Sequence, residues 1–322
     1  MKIAVTGGAG FIGSNLVRKL LDIGHDVVII DNFSRGTELN LQDLGIDTEI
    51  RYVDLRDSKL VLKSIKGAEV VFHLAARVGS INYLHGNKKN ELETLQSNLI
   101  IDANVFRACL ENGVKKLIYA SSVAVYPIED QDKSETTFAE KSLTHYNPEG
   151  GYGWAKLMGE IQLAWIEDLD IGIARIFNIY GENSAMGPSS HVVTSLIRKA
   201  IFYPREKYVV WGNGQQTRDF LYVGDCVEAL IKMLGKAAKE LFIVNIGSDK
   251  AVKISTLAEK IAGISGKNME IIYDSGQPSG PFSRTSDNKQ AKALLNWEPK
   301  VSLDEGLQRT YRWEETRNAI SY

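Results

Sequence analysis

The sequence predicts an α/β protein: a doubly wound parallel sheet with a smaller α/β lobe interleaved at the C-terminal end. Three observations predict it. Short apolar runs alternate with stretches of helical period from residue 2 to residue 177. Those runs lack clean in–out alternation, the mark of strands buried on both faces under helices. After Phe177 the texture changes to loops and short elements, with one more apolar run near residue 241.

Lys2–Thr6 reads as the first strand. Residues 14–23 then carry Leu16, Val17, Leu20 and Leu21 on one helical face and stop at Gly24. Strands are predicted at 27–30, 49–53 and 70–74. A helix at 98–110, closed by Gly113, leads to a strand at 116–120, and a helix at 152–169 to a strand at 171–177. Residues 178–214 read as loop-rich, 241–246 as a late strand of the main sheet, and 255–264 and 286–295 as helices. A last helix starts at Ser302, where Glu305 completes a capping box. Residues 1–177 are assigned to the main domain, with 215–246 returning to it. Residues 178–214 and 247–322 are assigned to the smaller lobe.

Composition narrows the function. The chain has 322 residues, 44% hydrophobic and 24% charged, enough for a core without disulfide staples. Its two cysteines, Cys109 and Cys226, exclude a disulfide framework and fit a reducing compartment. A net charge of −2 without a basic segment gives no footprint for a nucleic-acid or membrane-surface partner. No apolar run reaches the roughly 20 residues of a membrane span, and no signal-peptide pattern opens the chain. The expectation is a soluble cytoplasmic protein.

The first strand runs into Thr6-Gly7-Gly8-Ala9-Gly10-Phe11-Ile12-Gly13, and a helix follows at once. Glycines at 7, 10 and 13 permit a tight turn, close approach of a pyrophosphate to the backbone, and packing of helix on strand. Free N–H groups at the helix start then face the phosphates. Asp31 closes the second strand 18 residues after Gly13. A carboxylate there accepts both ribose hydroxyls of a dinucleotide and repels a 2′-phosphate, which favours NAD over NADP, although Arg35 lies nearby. Asp54 and Leu55, after the third strand, are placed to flank the adenine.

Tyr152 and Lys156, at i and i+4, share one helix face. An ammonium beside a phenol favours phenolate. Lowering a tyrosine pKa of about 10 to near neutrality takes about 3 units, or roughly 4 kcal/mol. Ser121-Ser122 ends the strand at 116–120, on the edge of the sheet where ligands bind. Ser122 can share a proton between a substrate hydroxyl and Tyr152.

With these residues in this order, the chain resembles the extended short-chain dehydrogenase/reductases that act on nucleotide sugars, a Rossmann-fold family. The resemblance spans nearly the whole chain. It includes His73-Leu74-Ala75-Ala76, Asn98, Phe177-Asn178-Ile179-Tyr180-Gly181, Gly214 to Phe220, and Arg284 with Asp287 before Asn296-Trp297-Glu298-Pro299. It implies NAD held by Gly7, Gly10, Phe11, Ile12, Gly13, Asp31, Asn32, Arg35, Asp54, Leu55, Leu74, Ala75, Ala76, Asn98, Tyr152 and Lys156. Catalysis falls to Ser122, Tyr152 and Lys156. The nucleotide-diphosphate sugar falls to Arg77, Ser80, Ser122, Asn178, Arg218 and Arg284, with the arginines on the diphosphate. The C-terminal lobe becomes the substrate lobe, and the helices near 98–112 and 152–168 the faces of a homodimer.

Val123 and Ala124 narrow the reaction. In this family the 4,6-dehydratases carry Asp and Glu at the matching positions, the uronic-acid decarboxylases a Glu at the second, and 3,5-epimerases such as GDP-mannose 3,5-epimerase a Cys there. Valine and alanine move no proton. What remains is C4 redox chemistry, and an NAD-dependent 4-epimerase of a nucleotide hexose fits best. A C4 reductase or dehydrogenase is the neighbouring reading, and an NAD-binding scaffold the non-enzymatic one. The stretches near 211–220 and 284–288 resemble GDP-mannose 3,5-epimerase, which keeps a GDP-sugar open. His73 is read as packing and the cysteines as buried hydrophobes. His25, His85, His145 and His191 lack metal-ligand spacing, so no metal is expected.

Overall fold

A computed structural model of the protein describes all residues except 43, 46, 47, 80–82, 85, 134, 135, 186, 188, 189, 237–240, 278, 279, 321 and 322. Its main sheet has seven strands, all parallel. In spatial order they are Glu49–Tyr52, Asp26–Asp31, Lys2–Thr6, Val70–His73, Lys116–Ser122, Asp170–Ile176 and Phe242–Ile246. The chain builds outward from Lys2–Thr6 in one direction and then reverses to continue from Val70–His73. That reversal opens a crevice at the carboxyl ends of those two strands.

Burial on both faces explains the missing alternation. Ile3, Val5, Val27, Ile29, Phe72 and Ile118 face one way, with Leu16, Val17 and Leu20 of the Phe11–Asp22 helix and Leu230 of the Val223–Gly235 helix. Ala4, Val28, Ile30, Val71, Leu117 and Tyr119 face the other. They pack on Val61 and Ile65 of the Ser58–Ile65 helix, Val105 and Cys109 of the Lys88–Glu111 helix, and Leu163 of the Gly150–Leu163 helix. Successive residues of each strand thus enter different cores, and both must be apolar.

Several expectations need correction. The helix predicted from residue 98 begins ten residues earlier, at Lys88, where Asn87 accepts the N–H of Asn90 at 2.9 Å. The helix predicted to run to 169 stops at Leu163, and Ser286 belongs to the strand Ser283–Ser286 rather than to the helix Lys289–Leu295. A helix at Ser58–Ile65 was not predicted. Asp57 caps it, accepting from the N–H groups of Lys59 and Leu60. Residues 178–214 contain the strand Asn178–Tyr180, the helix Val192–Phe202 and the strand Val209–Trp211. The expected cap at Ser302 is present, its Oγ accepting from Glu305 N at 3.2 Å ahead of the helix Leu303–Ile320.

The stretch 215–246 is divided between two sheets. Phe242–Ile246 does complete the main sheet beside Asp170–Ile176. Thr217–Tyr222, however, is the hub of a second, five-stranded sheet, pairing with Asn178–Tyr180, Ala251–Lys253 and Ser283–Ser286. Its remaining strand, Thr137–Phe138, comes from the N-terminal half and pairs with Ser283–Ser286. Among the described residues no helix is long and apolar enough to cross a membrane.

Candidate active site

The crevice opens into a cleft of about 1630 Å³ between the main sheet and the smaller lobe. Its first wall is the glycine loop. Gly7 has φ +71°, and a Cβ there would stand 2.8 Å from the backbone nitrogen of Ala75. A Cβ on Gly13 would overlap the carbonyl oxygen of Gly7 and reach 2.8 Å from Gly8 Cα. The Phe11–Asp22 helix has Gly10 at its N-cap, with no capping side chain and no acid in the first turn. Its leading N–H groups are thus directed at the cleft without an anionic partner of their own, which suits a pyrophosphate.

Asp31 ends the second strand, buried at the edge of the cleft. Its Oδ2 accepts from Ala9 N at 3.0 Å and its Oδ1 from Phe33 N at 2.8 Å. Burial pushes its pKa up and these backbone donors pull it back. Two bonds leave lone pairs on both oxygens for ribose hydroxyls. Buried Asn40, not singled out from the sequence, braces the loop by donating to Ala9 O at 3.0 Å. Asp54 is bound by Arg56 at 2.6 Å, which brings its pKa to about 2.

The floor carries Ser122, Tyr152 and Lys156. Ser122 ends the fifth strand, and its hydroxyl bonds the Tyr152 phenol. Burial pushes that phenol up to about 12, the charges of Asp102 and Glu149 act the same way, and the Ser122 bond opposes them. Lys156, 1% exposed, rests with Nζ 4.5 Å from the centroid of the Tyr119 ring. In this arrangement Ser122, rather than the ammonium expected from the sequence, is the contact that favours phenolate. Lys156 Nζ has no hydrogen-bond partner among the described residues. Three unused donors at the floor of a cleft fit the hydroxyls of a cofactor ribose.

The opposite wall belongs to the second sheet. Arg218 and Arg284 are register partners on adjacent parallel strands, so their side chains emerge together. Like charges side by side are unfavourable unless an anion lies between them. Burial and the Arg284 charge pull Arg218 down to about 9. Arg284 Nε donates to Gln131 Oε1 at 2.6 Å, and the same guanidinium pairs with Glu149. Arg77 bonds Tyr83 Oη at 2.9 Å, and the Arg77 and Arg35 guanidinium carbons lie 4.5 and 5.1 Å from the Tyr83 ring centroid.

The structure therefore gathers nearly every residue selected from the sequence around one cleft. Of the cofactor set, all line it except Asn98, and Arg77, Ser122, Asn178, Arg218 and Arg284 line it too. Asn98 stands behind the lining: it is fully buried, accepting from Arg77 N at 2.7 Å and donating to Arg77 O at 3.1 Å. Its amide is spent on shaping the loop after Val70–His73. Ser80 and His85 lie outside the described residues. Val123 and Ala124 do line the cleft, and neither side chain can move a proton. His73 is more than packing, since its ring bonds both Thr6 and Asp102. Both thiols are buried and pushed up to about 12. Sequence reasoning missed Glu149 and Gln131 and considered His191 only as a metal ligand; Gln131 ends the short helix Ile128–Gln131, Glu149 and His191 each precede a helix, and no spacing rule marks any of them, yet Glu149 and His191 line the cleft.

The profile of the NAD dependent epimerase/dehydratase family matches residues 3–247. GDP-mannose 3,5-epimerase of Arabidopsis thaliana is 33% identical over 319 residues, 97% of this chain and 82% of that protein. UDP-N-acetyl-alpha-D-glucosaminuronate decarboxylase of Bacillus cytotoxicus is 31% identical over 321 residues, 96% of each. Among solved structures, UDP-glucose 4-epimerase of Thermotoga maritima with UDP-glucose superposes with a TM-score of 0.87 at 29% identity, covering 99% of this chain and all of that one.

Proposed function

The chain belongs to the NAD-dependent epimerase/dehydratase family, and from that premise we propose that it is a 4-epimerase of a nucleoside-diphosphate hexose. One observation carries the reading. The Ser122–Tyr152 pair sits at the cleft floor, while the next two residues, Val123 and Ala124, offer no acid or base for elimination, decarboxylation or enolisation. NAD, when bound, supplies the hydride acceptor and donor at C4. Tyr152 takes the proton of the 4-hydroxyl, with Ser122 bridging phenol and sugar oxygen, and returns it when the keto group is reduced. Arg218 and Arg284 hold the diphosphate as a forked pair of donors. With the sugar anchored at that end alone, the hexose can turn and present its other face to the same floor. Asp31, with lone pairs left on both oxygens, takes the adenine ribose and selects against a 2′-phosphate.

The test is incubation in heavy water with UDP-glucose, UDP-galactose and GDP-mannose, without added NAD, followed by NMR. The expected product is the C4 epimer with no deuterium on carbon. Deuterium at C3 or C5 would sink the 4-epimerase reading. It would favour the second one, a 3,5-epimerase, which the Arabidopsis relative supports and for which Glu149 and His191 are two of the protonatable groups on the cleft wall. A keto sugar that accumulates only when NAD is added would point to a C4 dehydrogenase.

The working unit we propose is a homodimer. The helices Lys88–Glu111 and Gly150–Leu163 pack side by side and expose Leu92, Ile100, Trp154 and Met158 to solvent. A second copy of the same pair would cover them. Light scattering should give twice the chain mass, and Ile100→Asp with Met158→Asp should halve it. A monomeric wild type would refute the dimer.

A further inference from the structure

At and below the cleft floor, between the main sheet and the Gly150–Leu163 helix, Asp102, Lys156, Glu160 and Arg175 are all buried, none more than 5% exposed. Their charges balance as two acids against two bases. Glu160 is taken by Arg175, whose Nη2 and Nε donate to it at 2.7 and 3.0 Å. Lys156 has no such fork. It lies over the Tyr119 ring, and behind that ring Tyr119 Oη donates to Asp102 Oδ2 at 2.6 Å.

The other oxygen of Asp102 accepts from His73 Nε2 at 3.0 Å. His73 Nδ1 is 2.7 Å from Thr6 Oγ1, which in turn accepts from Ala75 N at 3.3 Å. With Nε2 donating to the carboxylate, Nδ1 accepts the Thr6 hydroxyl proton and the imidazole is neutral. Burial lowers the His73 pKa in the same sense. The hydrogen-bond partners of Asp102 are therefore uncharged. The cation that answers it is Lys156.

We propose that Asp102, held between His73 and Tyr119, is the counter-charge of the Lys156 ammonium and positions that side chain at the cleft floor. It is a positioning residue, acting on the reacting atoms only through Lys156, and its catalytic meaning rests on the reading of Ser122, Tyr152 and Lys156 as the working trio. A lone ammonium this deeply buried would shed its proton. The Tyr119 face adds a cation–π contact, and its hydroxyl, donating to a carboxylate, is polarised toward a more electron-rich ring. Burial alone would raise the Asp102 pKa, but Lys156 and the two donors bring it below the ordinary value. Asp102 also leads the groups that oppose the burial-driven fall of Lys156. The backbone admits this packing only at a glycine: a Cβ on Gly159 would overlap Tyr119 Oη and stand 3.0 Å from Asp102 Oδ2.

The test compares the melting temperatures of wild type, Asp102→Asn, Lys156→Met and the double variant between about pH 5 and about pH 8. Each single change strands one buried charge, so each should lose more than the double, which strands none. The Lys156→Met deficit should shrink as pH falls, because a proton on Asp102 or His73 then cancels the stranded charge. The sign follows from linkage: a carboxyl whose folded pKa is raised stabilises at low pH, and that stability is lost as pH rises through the folded pKa. The titratable groups facing the pair are His73, Tyr119, Glu160 and Tyr152, and all of them remain in every variant. Additive losses, or a deficit independent of pH, would overturn the proposal. If Asp102→Asn does not fold, the pH dependence of Lys156→Met decides alone. Turnover of UDP-glucose is a separate arm: in Asp102→Asn the alkaline limb of kcat should move down by about one pH unit or more. A limb that stays in place would refute the link to catalysis. A wild type inert on the nucleotide-sugar panel would refute the proposed function and leave the stability cycle standing.

Discussion

Tyr152→Phe is expected to lower kcat by about 10³-fold, within the range that a positioned acid–base group contributes, while leaving the fold intact. The ring stays in its place on the Gly150–Leu163 helix; only the proton carrier is lost. The ligand-free phenol is pushed up to about 12, so near neutrality it is protonated, and the loaded site must bring it down. Tyr152 gains reactivity as it loses its proton. The wild-type rate should therefore rise with pH through the phenol's pKa in the loaded enzyme, and the Phe variant should show no such rise. Ser122→Ala should weaken the same limb without abolishing it, since it removes the one contact that favours phenolate. A Phe variant that turns over like wild type would mean that Tyr152 is not the base.

Gly13→Ala is the change expected to do most damage to cofactor binding. Its methyl group would overlap the Gly7 carbonyl oxygen and crowd Gly8 Cα, and backbone cannot rotate away as a side chain does. Either the helix start or the loop must move, and in both cases the leading N–H groups leave the phosphate position. NAD affinity should fall by about 100-fold or more, the weight of two charge-assisted hydrogen bonds, with a lower melting temperature. Gly24→Ala is the control. It also holds a positive φ, +83°, but nothing lies within 4 Å of its would-be Cβ. It should cost about 1 to 2 kcal/mol of backbone strain and leave NAD binding unchanged. Isothermal titration of cofactor-free protein reads both, and equal NAD affinity in wild type and Gly13→Ala would disprove the loop's assignment.

Local chemistry made the N-terminal half legible. Glycines 7, 10 and 13, the acid at 31 and the pair 152/156 are each decided by neighbours a few residues away, and they fall around one cleft. The Ser58–Ile65 helix escaped because it is short, about two turns, even though Asp57 opens it and Gly67, with φ +82°, follows its end. The polar first turns of Lys88–Glu111 hid the true start of that helix. Distant pairings were invisible. Nothing local shows that Arg218 will lie beside Arg284, that Asn98 will bond the backbone of Arg77 instead of facing the cleft, or that Asp102 will meet His73 and Tyr119. Thr137–Phe138 is two residues long and becomes a strand only because Ser283–Ser286 arrives beside it.

That last pairing has a consequence for how the molecule must be made. The small sheet waits for Ser283–Ser286 to seat Thr137–Phe138, and the main sheet waits for Phe242–Ile246 to cover the flank of Asp170–Ile176. A nascent chain released only through residue 177 carries an open, apolar sheet edge, the kind of template that recruits other unfinished chains. Each half therefore contributes strands to sheets that the other half completes. Both sheets are complete only when residues up to 286 are available to pair.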